Sequence, residues 1–192
     1  MSLISCDAVK KIGGYVGAGT IEYLLDKNND FYFMEMNTRI QVEHPITEMV
    51  TGVDLIKNQI LSHAGFTIPS WMNSISPRGH SIECRITAED PYNNFMPSPG
   101  KISSIHLPSG MGVRIDTHIY EGYEISPYYD SMIAKIIVHA PTREESINRM
   151  KSVLTECVIE GVSTIIPYQL HILNNHKFIN GDYDTSFLNK LN

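Results

Sequence analysis

The alternation of apolar and polar positions changes its period several times along the chain, and each change marks an element. "CDAVKKIGG" ends in paired glycines and predicts the close of a helix. "GTIEYLLD" and "FYFMEMN" flank the polar "NND" and predict a β-hairpin. After Pro45, "TEMVTG" and "VDLIKNQILSHAG" are helical; in the second, Leu55, Ile56, Gln59, Ile60 and His63 recur at helix spacing and Gly65 terminates. Residues 66–79 mix proline, serine and glycine without a period and predict a connection. Beyond it come short β-rich runs, "HSIECRI", "KISSIHL", "GVRIDT" and "SMIAKIIVHA", separated by turn-rich segments, which predict a mostly antiparallel sheet. "TREESINRMKSVLTEC" opens with Thr142 three residues before Glu145, a capping box, and carries Ile147, Met150, Leu154 and Cys157 along one face. The expected class is α+β: residues 1–65 as one unit, 66–79 as connection, and 80–192 as a sheet covered by helices.

One segment departs from ordinary amphipathicity. In "FMEMNTRIQVEHP" (33–45), Glu35, Asn37, Arg39, Gln41 and Glu43 occupy alternate positions, so in a strand they line one face while Met34, Met36, Ile40 and Val42 point to the core. Fully extended, the row would span roughly 26 Å, more than one reacting centre needs, so a bend is expected after Asn37. Before the bend, Glu35 and Asn37, with Glu22 from the neighbouring strand, are hard oxygen ligands of the kind that hold magnesium against phosphates. After it, Arg39, Gln41 and Glu43 offer a fork for a small oxyanion, a neutral donor and a base. A solvated strand face is the plain alternative, but such faces favour Lys, Thr and Ser over an Arg, Gln, Asn and three carboxylates within mutual reach.

Composition narrows the classes. A net charge of −6 and 19% charged residues supply no basic field for nucleic acid. No apolar run approaches the roughly 18 residues of a membrane helix. The three cysteines, Cys6, Cys84 and Cys157, form no CxxC pair and suit a reducing cytoplasm. The eight histidines show no metal-binding spacing. "GYVGAGT" is glycine-rich, but a lone match of this kind reads as a turn.

"EMNTRIQVEHPITEMVTGVDLIKNQI", "GHSIECRITAEDP" and "PYYDSMIAKIIVHA" closely resemble biotin carboxylase, in order and over nearly the whole chain. The resemblance is to the C-terminal portion of that enzyme, from the end of its ATP-grasp domain through its C-terminal domain. It implies an ATP-dependent ligase that uses MgATP (or Mn2+) and bicarbonate to make carboxyphosphate and to carboxylate N1 of biotin on a carrier protein. It further implies that Glu22, Glu35 and Asn37 are metal-site residues. Arg39, Gln41 and the Val42 backbone would form the bicarbonate cradle, Glu43 would be the base, and Arg85 would stabilise the biotin enolate. Tyr128, Tyr129 and Asp130 match a family motif near the biotin pocket and are left outside the catalytic set.

The implied partners are a biotin carboxyl carrier protein, a carboxyltransferase, and a second copy forming a homodimer through the C-terminal domain, with Met111 and Arg114 in the "GMGVRID" loop as contacts. The family's upstream lysines, glycine-rich lid and adenine-binding segment have no counterpart here, so the chain alone is expected to be inactive. Acetyl-CoA carboxylase of fatty acid biosynthesis, propionyl-CoA carboxylase and pyruvate carboxylase share this half-reaction. The alternatives are another ATP-grasp ligase, such as a carbamoyl-phosphate synthetase, which would share Glu22, Glu35 and Asn37 but not "QVEHP" with "ECRI", and a non-catalytic docking module, which would have lost the charged row.

Overall fold

The structure, a computed structural model, describes residues 1–191. It divides into two compact units, Met1–Pro77 and Arg78–Asn192.

The first unit begins with helix α1 (Ser2–Ile12), closed by Gly13 at positive φ, and continues into strands β1 (Thr20–Leu25) and β2 (Phe31–Asn37). These strands form the expected antiparallel hairpin, with Asp26 closing the turn by accepting the backbone N–H groups of Asn28 and Asp30. The pairing shifts register between Glu22 and Tyr23, so Met34 has no partner opposite it, as in a β-bulge. The shift breaks the alternation on which the core assignment of Met34 rested, and Met34 is 49% exposed instead of facing a core; Met36, Ile40 and Val42 are half-buried. Helix α2 (His44–Thr51) starts with Pro45 in its first turn, where the missing N–H costs nothing, and ends at left-handed Gly52. Helix α3 (Leu55–His63) is capped by Asp54, whose side chain accepts the Lys57 N–H. Its apolar stripe is present, but Ile56 and Ile60 remain exposed. Residues Ser70–Ser74, inside the stretch expected to be a connection, form a short 3-10 turn.

The second unit contains β3 (His80–Thr87), β4 (Glu89–Asp90), β5 (Met96–Pro97), β6 (Gly100–Lys101), β7 (Ser104–His106), β8 (Val113–Thr117), β9 (Glu124–Ile125), β10 (Met132–Ala140), α4 (Arg143–Glu156), β11 (Val158–Glu160), α5 (Ile166–Asn174) and α6 (His176–Asn180). Every ladder is antiparallel: a three-stranded sheet in the order β3-β10-β8, and the pairs β11-β7, β4-β5 and β6-β9. Central β10 is flanked on both sides and is apolar almost throughout, with Ile133, Ala134, Ile136, Ile137 and Val138 buried.

Helix α4 carries the complete capping box: Thr142 accepts the Glu145 N–H and Glu145 accepts the Thr142 N–H. Its buried face, Ile147, Met150, Val153 and Leu154, joins a core with Cys84, Ile86, Ile136 and Val138 of the sheet. Register places the other sheet face in a different chemistry: Arg85 lies opposite Lys135, and Lys135 opposite Asp116, so a charged row crosses β3, β10 and β8. Gly161, at φ +97°, brings its Cα against the Lys101 carbonyl, a place where any side chain would collide.

Candidate active site

The hairpin register explains why Glu22 and Glu35 meet: they are direct cross-strand partners, and Thr20 pairs with Asn37 at the end of the same ladder. The Asn37 amide donates to both carboxylates, 2.8 Å to Glu22 Oε1 and 3.0 Å to Glu35 Oε1. Gln41 donates to the same Glu22 oxygen at 2.8 Å. Three of the expected metal-site residues and one of the expected anion-site residues therefore form a single hydrogen-bonded knot. Strand β2 ends at Asn37, where the bend was expected, and the chain turns through residues 38–43 into α2. The Gln41 carbonyl holds that turn, accepting the His44 N–H at 3.2 Å and lying 2.7 Å from His44 Nδ1. Arg39 is exposed and donates to the Ile40 carbonyl at 3.2 Å. Glu43 is exposed at the N-cap of α2, and Val42 is half-buried between Gln41 and Glu43.

A cleft of about 670 Å³ opens beside the knot, lined by Glu22, Arg39, Gln41, Glu43, His44 and Thr47 together with Gly17, Ala18 and Gly19. The glycine-rich stretch is thus an irregular turn that also walls the cleft. A glycine pair alone carries no signal for this, and neither His44 nor Thr47 stands out from the sequence as a lining residue. Among the described residues no group of three or more His, Cys, Asp and Glu could hold a metal ion. The carboxylates of Glu22 and Glu35 and the amide oxygen of Asn37 are hard oxygen donors of the chemical kind that magnesium takes. The amide hydrogens of Asn37 and Gln41 sit on Glu22 Oε1, and that of Asn37 on Glu35 Oε1 as well, so these carboxylate oxygens are satisfied within the protein.

Arg85 belongs to the second unit. It is exposed on β3 between buried Cys84 and Ile86. Its carbonyl accepts the Gln169 side-chain amide from α5 at 2.5 Å, and the Ile165 N–H bonds the Thr87 carbonyl, so the start of α5 is laced along β3 at this residue. Gln169 had no signature in the sequence. Across the sheet, Asp116 accepts a forked pair of bonds from Arg114, 2.8 and 2.9 Å, with Lys135 Nζ 3.6 Å away. Burial pushes the Asp116 carboxyl up, but these two cations outweigh it and hold it below the usual range.

The fold and the paired carboxylates beside a cleft define a class. The family model for the carbamoyl-phosphate synthase L chain, ATP binding domain, matches residues 1–70. The biotin carboxylase C-terminal domain model matches residues 83–190. The chain belongs to the biotin carboxylase family. It is 54% identical over 178 residues to a biotin carboxylase of Nostoc sp., covering 93% of this chain and 40% of the relative. It is 54% identical over 179 residues to biotin carboxylase 1 of Bacillus subtilis, with the same two shares. Among solved structures, it is similar to a biotin carboxylase from Campylobacter jejuni complexed with β,γ-ATP (TM-score 0.92, 49% identity, 97% of this chain and 41% of that one). It is also similar to the biotin carboxylase domain of a thermophilic 2-oxoglutarate carboxylase bound to bicarbonate (TM-score 0.94, 47% identity, 97% and 42%). The chain spans about 40% of the length of the curated relatives it matches.

Proposed function

We propose that this chain is the C-terminal part of a biotin carboxylase, an ATP-dependent ligase that carboxylates biotin on a carrier protein with bicarbonate. The observation that carries the reading is the knot joining Glu22, Glu35, Asn37 and Gln41 at the edge of a cleft lined by Arg39 and Glu43. Glu22, Glu35 and Asn37 hold magnesium (or manganese), which when bound supplies charge neutralisation at the ATP phosphates. Arg39, Gln41 and the Val42 main chain orient bicarbonate, and Glu43 accepts its proton as it attacks the γ-phosphorus to give carboxyphosphate and ADP. Arg85 meets the negative charge that develops on the biotin ureido oxygen, a charge absent from the ground state.

The carrier protein or domain, a carboxyltransferase and a second copy of the enzyme in a homodimer complete this reading as partners. The second copy contacts Met111, which is 94% exposed, and Arg114. No helix among the described residues is long and apolar enough to cross a membrane, and the three free cysteines suit a cytoplasmic enzyme. The family model matching residues 1–70 is named for a carbamoyl-phosphate synthase; the match over 83–190, which holds Arg85, favours biotin as acceptor.

The test separates the two roles in the complete enzyme. Glu43→Gln keeps size and hydrogen bonding but removes the base, so bicarbonate-dependent ADP release falls by roughly two to four orders of magnitude, with or without biotin. Arg85→Gln spares ADP release without biotin and depresses carboxyl transfer. Equal loss of both activities in Arg85→Gln, or neither lost in Glu43→Gln, contradicts the assignment.

A further inference from the structure

A cation that meets charge developing on a substrate must stand at a fixed place, and the sheet by itself does not fix Arg85. Strand β3 is an outer strand of the order β3-β10-β8, so among the described residues one of its edges has no strand beside it. Its inner pairing is interrupted next to Arg85, because the register with β10 shifts between Met132 and Ala134, opposite Thr87 and Ile86. Cys84 and Ile86, buried on either side of Arg85, hold one face of the strand down but leave it able to tilt about its own axis. Lys135 lies directly across the ladder, a like charge that repels the guanidinium.

Helix α5 supplies what the ladder lacks. The Ile165 N–H donates to the Thr87 carbonyl at 3.3 Å and the Gln169 amide to the Arg85 carbonyl at 2.5 Å, so alternate carbonyls of the open edge are taken up. The helix is a firm base for this, with Ile166 and Leu173 buried and Tyr168 packed edge-on against Phe95 at 5.0 Å between ring centroids. Gln169 stands three residues after Ile166 and four before Leu173, on the face those two bury, where packing alone calls for an apolar residue. Its Oε1 is shielded from water and has no hydrogen-bond partner among the described residues. Burying an amide in this way costs stability that a methionine of similar shape does not. The amide is thus a local cost to the fold, and the side-chain hydrogen bond it makes is to Arg85.

We propose that Gln169 is a positioning residue for carboxyl transfer to biotin: by tethering the Arg85 carbonyl to α5 it fixes the direction in which the Arg85 side chain leaves β3. The proposal rests on the function given above to Arg85. A strand carbonyl and its side chain share one Cα, so holding the carbonyl in the plane of the sheet sets the tilt of the Cα–Cβ bond. A small tilt at the strand becomes a large displacement at the end of a long side chain, and misplacement by about 1 Å is enough to weaken a charge that acts in the transition state. Gln169 itself touches no substrate and moves no proton.

The test is a double-mutant cycle in the complete enzyme, with carboxylation of free biotin and bicarbonate-dependent ADP release without biotin measured side by side. Gln169→Met lowers kcat for biotin carboxylation about tenfold, changes KM for biotin less than about twofold and leaves ADP release without biotin unchanged. Its melting temperature holds or rises, so activity and stability part company. Gln169→Asn keeps the amide but withdraws it by one methylene, and lowers kcat in the same way, which provides a second variant should the methionine disturb folding. On an Arg85→Gln background Gln169→Met has no further effect, because the group it positions is gone. Asn174→Leu removes an exposed side-chain bond within α5, to the Leu170 carbonyl, and leaves both activities as they were.

An equal loss from Gln169→Met on both backgrounds overturns the proposal, by showing an action that does not pass through Arg85. So does a loss of both activities together with a lowered melting temperature in both Gln169 variants, which marks a residue that serves the fold alone. If Arg85→Gln depresses carboxyl transfer while both Gln169 variants are silent, the positioning role fails and the proposed function stands. If Arg85→Gln leaves carboxyl transfer intact, the role of Arg85 fails first and the positioning role falls with it.

Discussion

The three cysteines sit in different surroundings. Cys6 is exposed on α1, whereas burial pushes the Cys84 thiol up to about 12, with the Glu83 carboxylate adding to it, and Cys157 up to about 11. Since the thiolate is the reactive form, one of three thiols in the native chain reacts promptly with a disulfide reagent at pH 8, and the other two react only after denaturation. Prompt reaction of two or three contradicts this placement. Asp116 makes a different prediction. Its carboxyl is depressed in the folded chain, so its contribution is complete above its unfolded value of about 3.9 and is lost as pH falls through the folded value below that. The group is partly exposed and screened, so Asp116→Asn costs less than about 1 kcal/mol at neutral pH, and the cost disappears in acid melts. The meeting of Glu22 with Glu35 was legible because a short polar turn fixes hairpin register. The contact of Gln169 with Arg85 was not, since 84 residues separate them and a glutamine in a helix carries no mark of what it will bond.

Helix α4 shows how far local rules reach. Thr142 and Glu145 satisfy each other's backbone N–H groups, as their spacing predicted. Thr142→Ala removes one of those bonds and costs about 1 kcal/mol, read as a lowered midpoint in urea with unchanged slope. A change in slope instead would mean that the cap shapes more than the helix end. Elements without such signals escaped. Strands β4, β5, β6 and β9 are each two residues long, too short for a period to show. Helix α5 starts without a side-chain cap, and its Pro167 reads equally as a turn. The bulge at Met34 escaped as well, because an extra residue in one strand leaves the composition of a strand intact.

At the scale of the whole molecule, the cluster of buried side chains belongs to the unit built from β3 onward, where α4 closes over the sheet. The exposed stretch 66–79 precedes it, and its 3-10 turn buries no residue. A protease meets these features in sequence. Backbone must leave its folded path to enter an active-site groove, and it does so most readily where few side chains hold it down. Brief trypsin treatment therefore cuts at Arg78 and leaves a resistant product that starts at Gly79, while the first unit is degraded to small peptides. Mass spectrometry of the time course checks the order, and survival of an intact first unit after the second has gone would reverse it. The boundary between the units then gives the two parts different lifetimes: the knot of Glu22, Glu35 and Asn37 is lost at the rate of local opening, long before the core that carries Arg85 unfolds.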